Sequence, residues 1–494
     1  MQKKPIIAVV TGGYSGEAVI SYKSAITIQN NIDTDRYDVY RIDITPERWF
    51  HPGADGQAYL VDRNDFSLTI DGRKIKFDAV LIGIHGTPGE DGKLQGYFDM
   101  VGLPYTSCDA ATSALTFNKR YTVAVAAFGG IHVAKSLHLF RHAPLSAQDV
   151  LVQVKLPVFV KPNNGGSSIG MSKVNHAEDI EAALEKAFHE DDQVLVEEYI
   201  EGREFTVLVS AGPTPGTCVT YKPVEYIFPE GDSFKTYALK TSALHPTANI
   251  PCNDPSLERA LREASEKIFI SGGCIGYGRL DFRVNKSGEV YFLEMNFTCS
   301  VFYEDGYEGS ADYILKYDPA GKRGFLEQII NEGIARYQRK QKPFYVKGDS
   351  IAGYGIYAAR DLAAGETIYF GEERAQRLVT KRYIDNHWNP HQQLQFRRYA
   401  YPLSEEVFAL WDEDPTSWAP QNHSCSANTA FNGLNVCTTR AVFQHEELTL
   451  DYATFLDPRM EPFDCKCGSA HCRGTISGPE GNTLTKREQQ LRKK

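Results

Sequence analysis

The sequence lacks long apolar runs, internal repeats and low-complexity tracts. No stretch of about 18 apolar residues occurs, so we expect no membrane-spanning helix. The apolar run 6–10 leads directly into Thr-Gly-Gly, which is typical of a first strand and turn rather than of a signal peptide. Acidic residues outnumber basic ones, and the formal net charge of −10 argues against direct nucleic-acid binding. These absences favour a cytoplasmic globular protein.

The length and composition bound the architecture. At 494 residues the chain is too long for one ordinary hydrophobic core and fits two to four compact units. The hydrophobic fraction is 42% and the charged fraction 23%, as in globular proteins.

The ten cysteines divide into two groups. Five are scattered, as buried or incidental thiols usually are: Cys108, Cys218, Cys252, Cys274 and Cys299. The other five lie in the last 70 residues, and three of them form a Cys-x-Cys-x4-Cys pattern, namely Cys465, Cys467 and Cys472. This spacing is typical of a metal site rather than of disulfides, which favours a reducing compartment.

The pattern of apolar residues changes along the chain. Residues 4–117 alternate short apolar runs with helical spacing, which predicts βαβ units around a parallel sheet. Residues 156–161 and 193–198 are compact strand candidates, with a glycine-rich loop at 163–168 and a helix at 182–189 between them. A helix is predicted over 256–271. After a helical, basic segment at 332–341, many short strands and turns predict a β-rich unit.

Two acids and an amide lie on adjacent predicted strands in the first part. Glu294 and Asn296 are two residues apart and point to the same face of a strand, and Asp281 precedes them. An oxygen-only set is what Mg²⁺ prefers. Lysines that could neutralise phosphates occur at positions 119, 161 and 240, with Lys161 just before the glycine-rich loop. This combination suits activation of a carboxylate by ATP.

Residues 5–300 contain a series of short motifs: Gly12-Gly13-Tyr14-Ser15-Gly16-Glu17, His85-Gly86, 89–96, Gly102-Leu103-Pro104-Tyr105-Thr106, Val160-Lys161-Pro162, 166–174, 202–207 and Gly278-Arg279-Leu280-Asp281. In this order they resemble D-alanine–D-alanine ligase, an ATP-grasp enzyme. The resemblance covers about the first 300 residues. It implies a Rossmann-like leading subdomain followed by an ATP-grasp fold.

The resemblance also implies residue roles. ATP would be bound by Lys119, Lys161, Glu197, Glu204 and Lys240, the last on the terminal phosphate, and Mg²⁺ by Asp281, Glu294 and Asn296. Arg279 would stabilise the oxyanion of the tetrahedral intermediate. Glu17 would receive the ammonium group of the first amino acid, His85 would lie near its carboxylate, and Ser167 would help to fix the lid.

The sequence departs from that family after Asn296. The family continues with a Thr-Ser-Pro-Gly-Met type of loop that binds the second D-alanine, whereas this chain has Phe297-Thr298-Cys299-Ser300-Val301-Phe302-Tyr303. The tyrosine that follows the phosphate lysine in the family is Thr241 here. We therefore expect an amide-forming ligase with a rebuilt acceptor site.

A second set of motifs lies in residues 350–478: 353–359, Ala364-Gly365-Glu366, Asn422-His423-Ser424-Cys425 with Asn428, and 447–452. Together with the three cysteines that follow, they resemble a SET domain with a post-SET segment, in which Ala427 replaces the family's proline. The resemblance implies a methyltransferase in which Tyr452 orients the amine, and S-adenosylmethionine is bound by Gly353, Tyr354, Gly355, Asn422 and His423. It implies a closed structural Zn²⁺ site of Cys425, Cys465, Cys467 and Cys472.

We expect an α/β and α+β multidomain chain. Its predicted parts are 1–117 (Rossmann-like), 118–338 (ATP-grasp), 339–349 (linker), 350–478 (SET, with the post-SET segment at 465–474) and 479–494 (tail). Related ligases are commonly dimers, which suggests a homodimer through the first subdomain.

The expected function is bifunctional. The ligase would use an amino acid or peptide, and the methyltransferase a protein lysine or another small amine. Two alternatives stay open: a methyltransferase whose ATP-grasp half only binds ligand, and a SET part that only recognises its target.

Overall fold

The computed structural model describes residues 4–143, 145–166, 169–228, 248–297, 302–303, 308–340, 342–349, 353–372, 377–410, 421–456 and 462–478. The chain divides into two compact units, Met1–Gln338 and Arg339–Lys494. Among the described residues, no helix is long and apolar enough to cross a membrane.

The first unit opens with a largely parallel sheet. Its elements are β1 (Ile6–Gly12), α1 (Ala18–Asn31), β2 (Asp38–Ile44), β3 (Trp49–Pro52), β4 (Ala58–Leu60), β5 (Leu68–Ile70), β6 (Arg73–Ile75), β7 (Ala79–Ile82), α2 (Lys93–Val101) and α3 (Ala110–Phe117). The strand order is β4-β3-β2-β1-β7, and β1 pairs in parallel with both β2 and β7. The predicted βαβ arrangement is confirmed. The structure also contains the antiparallel strands β3 to β6, which the sequence analysis did not predict.

A small four-stranded antiparallel sheet follows. This region contains α4 (Lys119–Phe128), β8 (His132–Val133), β9 (Ser136–Phe140), α5 (Ala147–Gln153), β10 (Val158–Pro162), β11 (Ser172–Val174), α6 (Ile180–Glu190) and β12 (Gln193–Glu198). The order is β11-β10-β12-β9, and apolar side chains of the sheet, α5 and α6 form one core. This sheet presents the loop after β10, which carries the glycines of 165–166.

The largest sheet of the first unit has seven strands. Its elements and the following helices are β13 (Gly202–Ala211), β14 (Cys218–Thr220), β15 (Val224–Ile227), β16 (Ala248–Pro251), α7 (Pro255–Ser271), β17 (Tyr277–Asn285), β18 (Val290–Phe297), α8 (Ser310–Lys316) and α9 (Gly321–Lys340). The order is β16-β15-β13-β17-β18-β8, with β14 beside β13. Helix α7 begins where the Asp254 carboxylate accepts hydrogen bonds from the amides of Ser256 and Leu257, with Pro255 in the first turn.

The second unit is rich in short strands. It contains β19 (Phe344–Asp349), β20 (Gly353–Ala358), β21 (Thr367–Tyr369), β22 (Arg377–Thr380), α10 (Lys381–His387), α11 (Pro390–Tyr399), β23 (Tyr401–Pro402), β24 (Val407–Leu410), β25 (Asn422–His423), β26 (Thr429–Asn432), β27 (Asn435–Thr438), β28 (Glu447–Leu450), β29 (Phe463–Asp464) and β30 (Thr475–Ile476). The main sheet has the order β19-β20-β28-β26-β27-β21, and β25 joins β28. The expected β-rich character of this unit is confirmed.

One local prediction differs from the structure. The segment 339–349, expected to be a linker, contains β19, which pairs along its whole length with β20 because Phe344 packs into the core of the second unit. The segment 449–452, which lies among the short strands and turns of this unit, contains both: strand β28 ends at Leu450, and Tyr452 begins a 3-10 turn capped by the Asp451 side chain.

Candidate active sites

The predicted Mg²⁺ ligands of the first unit meet across two paired strands. Strands β17 and β18 are antiparallel, with Asp281 opposite Glu294 and Arg279 opposite Asn296. The Arg279 guanidinium donates to the Asp281 carboxylate at 2.7 Å, and both side chains are about nine-tenths buried. The chain therefore gathers two carboxylates, an amide and a guanidinium on one face, where oxygen donors fit a hard divalent cation.

Glu204 lies one strand further on and is held by a residue that the sequence analysis missed. It stands opposite Arg283 in the β13–β17 register, and the Arg283 guanidinium donates to its carboxylate at 2.9 Å. Arg283 also donates to the Tyr199 hydroxyl at 2.9 Å, and its side chain is only 2% exposed. Arg283 follows Asp281 by two residues and so shares its face of the strand, which is the signal that could have identified it.

The predicted nucleotide lysines lie at the small sheet. The Lys161 ammonium, on β10, is 2.5 Å from the Glu197 carboxylate, which lies on the neighbouring strand β12. The Lys119 ammonium, at the start of α4, donates to the carbonyl of Gly165 at 2.5 Å. Lys119, Lys161 and Glu197 are thus brought to the strand–loop region around β10. Lys240 and Ser167 lie outside the described residues.

Glu17 lies between two glycine turns. It immediately precedes α1, and a Cβ atom added at Gly86 would stand 2.6 Å from one of its carboxylate oxygens. A Cβ added at Gly166 would stand 3.1 Å from the other. The two glycines therefore allow the main chain of both loops to approach the Glu17 carboxylate closely.

His85 is buried near the same loops and is held by two serines. Its amide donates to the Ser21 hydroxyl at 2.9 Å, and its Nε2 atom lies 3.0 Å from the Ser24 hydroxyl. Burial, with a smaller contribution from the charge of Arg279, lowers the pKa of His85 to about 4. The imidazole is therefore neutral at pH 7, and the Tyr303 ring meets it edge to face at 5.8 Å.

Asp312 fixes the described part of the segment after Asn296 that departs from the family's loop. Its buried carboxylate accepts hydrogen bonds from the amides of Phe302, Tyr303 and Gly309 at 2.8 to 3.0 Å. Lys322 donates to the Tyr303 carbonyl at 2.9 Å. Burial raises the pKa of Asp312 to about 6. The sequence analysis had named Tyr303 but not this support; residues 298–301 lie outside the described part.

In the second unit, the predicted cofactor turn lies against Asn422. The Asn422 amide donates to the carbonyl of Tyr354 at 3.1 Å and to the Glu447 carboxylate at 2.8 Å. A Cβ added at Gly355 would lie 2.6 Å from a Glu447 oxygen and 2.8 Å from the Asn422 amide nitrogen. Gly353 has a φ of +88°, a conformation that favours glycine. The predicted residues 353–355 and 422 are thus adjacent, and Glu447 is the partner that was missed.

Tyr452 is surrounded by aromatic rings. Its hydroxyl donates to the carbonyl of Gln421 at 2.5 Å. The rings of Phe455 and Phe463 lie 5.3 and 6.0 Å from its ring. Phe455 in turn contacts Tyr401 and Phe431. Phe455 and Phe463 thus lie beside Tyr452, and Tyr401 and Phe431 join the same aromatic group through Phe455.

Four thiols converge beside this site. The sulfur atoms of Cys425, Cys465, Cys467 and Cys472 all lie within 4.8 Å of one another, and the sulfurs of Cys425 and Cys465 are 3.8 Å apart. In a tetrahedral Zn²⁺ site with bonds of about 2.3 Å, sulfurs are separated by roughly 3.8 Å. The donor set and spacing therefore fit Zn²⁺. His471 is exposed and is not a member of this group.

His423 lies between the thiols and Tyr452. Its Nδ1 accepts a hydrogen bond from the Tyr452 amide at 3.1 Å, and its Nε2 is 3.4 Å from the Cys425 sulfur. Burial lowers the pKa of His423. Both nitrogens are therefore engaged within the protein, although the sequence analysis expected this residue to hold the cofactor.

Comparison with family models places three segments of the chain. Residues 6–108 match the model of the D-ala D-ala ligase N-terminus, residues 120–301 that of the D-ala D-ala ligase C-terminus, and residues 353–453 that of the SET domain. The sequence-based resemblance to a fusion is confirmed.

Relatives match the first unit. The D-alanine–D-alanine ligase of Phocaeicola vulgatus is 39% identical over 306 residues, which are 60% of this chain and 90% of the relative. That of Flavobacterium johnsoniae is 37% identical over 299 residues, or 59% of this chain and 88% of the relative.

Solved structures agree with this match. The VanG D-Ala:D-Ser ligase of Enterococcus faecalis superposes with a TM-score of 0.57 at 28% identity, covering 67% of this chain and 99% of that one. D-alanyl-alanine synthetase A of Vibrio cholerae gives a TM-score of 0.60 at 29% identity, with coverages of 68% and 100%. Through its first 300 residues the chain belongs to the D-alanine–D-alanine ligase family, and it carries a SET domain after them.

Proposed function

We propose that the chain is a bifunctional enzyme: an ATP-dependent carboxylate–amine ligase joined to a SAM-dependent N-methyltransferase. The observation that carries the ligase half is the register of β17 and β18, which gathers Arg279, Asp281, Glu294 and Asn296 on one face. The proposed domain limits are 1–117 and 118–338 for the ligase and 344–478 for the SET domain, whose expected start at 350 moves to include β19 because β19 pairs with β20.

The ligase reaction needs a carboxylate, ATP and an amine. A carboxylate oxygen attacks the terminal phosphorus of ATP, which yields an acyl phosphate and ADP; the amine then attacks the acyl carbon and phosphate leaves. Mg²⁺, when bound by Asp281, Glu294 and Asn296, neutralises phosphate charge. Lys119, Lys161 and Glu197 bind the nucleotide, together with Glu204, which Arg283 holds at 2.9 Å.

The reacting groups are oriented by two residues that follow strands of the leading sheet and by Arg279 on β17. Glu17 binds the ammonium group of the donor amino acid, and the neutral His85 lies near its carboxylate. Arg279 stabilises the oxyanion that forms when the amine adds to the acyl carbon. Lys240 and Ser167 complete the proposed set, and both lie outside the described residues.

The acceptor is proposed to differ from D-alanine. The segment after Asn296 departs from the family's loop, and Asp312 holds Tyr303 against His85. One structural neighbour is a D-Ala:D-Ser ligase, so proteins of this fold differ in their acceptor.

The methyltransferase half is proposed to act on a protein lysine or on another small amine. S-adenosylmethionine supplies the methyl group, and the main chain of residues 353–355 and 422–423 holds it. Tyr452 is fixed through its hydroxyl and its amide, and it orients the neutral amine among the aromatic rings of Tyr401, Phe431, Phe455 and Phe463. Cys425, Cys465, Cys467 and Cys472 would bind Zn²⁺, and their four bonds to the metal would hold the segment after Cys465 in place.

The first experiment measures ATP-dependent phosphate release across D- and L-amino acids, singly and in pairs, with Glu294→Gln as control. We expect release that requires a pair of substrates and disappears in the control. If D-alanine alone is as effective as any pair, the acceptor assignment is wrong. ATP binding without release for any pair would leave the ATP-grasp half as a binding module beside the methyltransferase.

The second experiment follows S-adenosylhomocysteine formation with lysine-containing peptides and with the ligase product. Tyr452→Phe should abolish turnover while leaving binding of S-adenosylmethionine intact. Turnover that persists in Tyr452→Phe would contradict the assigned role, and no turnover in the wild type would favour a SET domain that only recognises its target.

A further inference from the structure

The His423 imidazole connects the thiol group to Tyr452 through two hydrogen bonds. The Tyr452 amide donates to Nδ1 at 3.1 Å, and Nε2 lies 3.4 Å from the Cys425 sulfur. The His423 side chain is 5% exposed. Its ring is covered by the ring of Phe463, whose centroid lies 5.7 Å away.

The direction of these bonds follows from the donors. An amide N–H can only donate, so Nδ1 is an acceptor and carries no proton. A neutral imidazole then has its single proton on Nε2, which makes Nε2 the donor toward Cys425. A thiolate sulfur is an acceptor for this bond, as in any deprotonated cysteine that binds a metal.

Asp451 does not compete for this ring. Its carboxylate lies 3.8 Å from Nδ1, beyond hydrogen-bond distance. It accepts instead from the amide of Ala453 at 3.1 Å and pairs with Arg473. The two contacts of His423 therefore link a metal-binding sulfur directly to the main chain of Tyr452.

We propose that His423 is a positioning residue that couples the Zn²⁺ site to Tyr452, and that its side chain does not hold S-adenosylmethionine. This inference rests on the proposed methyltransferase function. Loss of the metal would release the Cys425 sulfur. The His423 ring, which accepts the hydrogen bond of the Tyr452 amide, would then lose its fixed position.

Two substitutions separate the two hydrogen bonds. The Oδ1 atom of Asn can take the position of Nδ1, so His423→Asn keeps the acceptor for Tyr452 and loses the donor to Cys425. The Nε2 atom of Gln can take the position of the imidazole Nε2, so His423→Gln keeps the donor and loses the acceptor. Each variant is thus the matched control of the other, and His423→Ala loses both bonds.

Two readouts need no methyl acceptor. Zn²⁺ transfer from the full-length protein to a chromophoric chelator reports on the thiol group, and hydrogen–deuterium exchange in a peptide covering 448–456 reports on the Tyr452 amide. We expect transfer about fivefold faster in His423→Asn with unchanged exchange, and exchange about fivefold faster in His423→Gln with unchanged transfer, as the loss of one hydrogen bond implies. His423→Ala should change both.

The outcomes separate this inference from the proposed function. The coupling is overturned if neither single variant changes either readout, or if removal of Zn²⁺ by the chelator leaves exchange at 448–456 unchanged in the wild type. Calorimetric binding of S-adenosylmethionine that weakens in all three variants would place the side chain at the cofactor and also overturn it. If the wild type does not bind S-adenosylmethionine, the methyltransferase assignment fails, whereas Zn²⁺ transfer and amide exchange still decide the coupling.

Discussion

In the first unit, a buried guanidinium holds a carboxylate across two long strands, whereas in the second unit four sulfurs converge between short strands and turns. Strand β13 has ten residues, of which 205–210 are buried, and β17 has nine residues, of which 277–284 are buried, so packing alone can fix Arg283 and Glu204. Strands β25, β29 and β30 have two residues each. Such short pairings cannot hold a segment in place, which is why a metal-binding group suits that position.

Removal of the metal should have the most different effects on the thermal stability of the two units. A chelator should abolish or strongly lower the thermal transition of the second unit, because structural Zn²⁺ contributes of the order of 10 kcal/mol to such sites. The transition of the first unit should not move. Calorimetric melting with and without chelator measures both.

The control for this prediction is Cys437→Ser. Cys437 belongs to the same unit but lies outside the four-thiol group, and its sulfur contacts the Thr367 hydroxyl at 3.4 Å. Cys465→Ser should therefore reproduce the effect of the chelator and Cys437→Ser should not. Equal effects of the two substitutions would contradict the metal assignment.

Arg283→Met should destabilise the first unit by roughly 3–5 kcal/mol, because it removes the buried guanidinium that lies 2.9 Å from the largely buried Glu204 carboxylate. Denaturant unfolding followed by a probe in the first unit measures this. Lys286→Met is the control: its ammonium pairs with the Glu201 carboxylate at 3.1 Å, but the two side chains are 77% and 68% exposed, so we expect a loss below about 1 kcal/mol.

A double variant sharpens this comparison. Arg283→Met combined with Glu204→Gln should recover part of the lost stability, since the uncompensated charge is removed. A double variant as unstable as the sum of the two singles would indicate that the positions act through packing instead.

His85 should make the first unit less stable in acid. Its folded pKa of about 4 lies below its unfolded value, so the unfolded chain binds more protons and stability falls as the pH drops from about 6.5 through 4. This pKa shift corresponds to a change of roughly 3 kcal/mol in the free energy of unfolding. His85→Gln should lose this dependence when unfolding free energies are measured at pH 7 and pH 4.5.

Asp312 provides a control of opposite sign. Its folded pKa of about 6 lies above its unfolded value, so it contributes stability at low pH that is lost as the pH rises from about 4 through 6. Asp312→Asn should therefore steepen the loss of stability in acid that His85→Gln abolishes. The same slope in both variants would show that neither group governs it.

The smallest predicted effect concerns Gly355. An alanine Cβ there would meet Glu447 at 2.6 Å and Asn422 at 2.8 Å, so the turn must shift. We expect affinity for S-adenosylmethionine to fall about tenfold, equivalent to ~1.4 kcal/mol, with the first unit unaffected. Gly365→Ala is the control, because a Cβ there has open space, although its φ of +81° also strains alanine.

Much of the fold was predictable because its signals are local. The strand predicted at 193–198 has these bounds in the structure. The helix predicted at 256–271 begins one residue earlier and ends as predicted, because Asp254-Pro255 is a clear signal for the start of a helix. The antiparallel strands β3 to β6 were not predicted, because strands of three or four residues leave little periodicity.

The candidate sites were predictable only as sets of residues. The triad of Asp281, Glu294 and Asn296 was visible in the order of the motifs, but Arg283 was not, because its role depends on Glu204 about 80 positions earlier in the chain. The same holds for Glu447, which acts through Asn422 and the turn at Gly355.

The sequence by itself determined the two families, the order of the units and the four cysteines, since these depend on residue types at short spacings. Only the tertiary structure decided that His423 turns both ring nitrogens inward, and that Asp312 holds Tyr303 against His85. The reason is physical: burial and strand register bring together groups that are far apart in sequence, and a side chain's partners fix which of its atoms remain for a ligand.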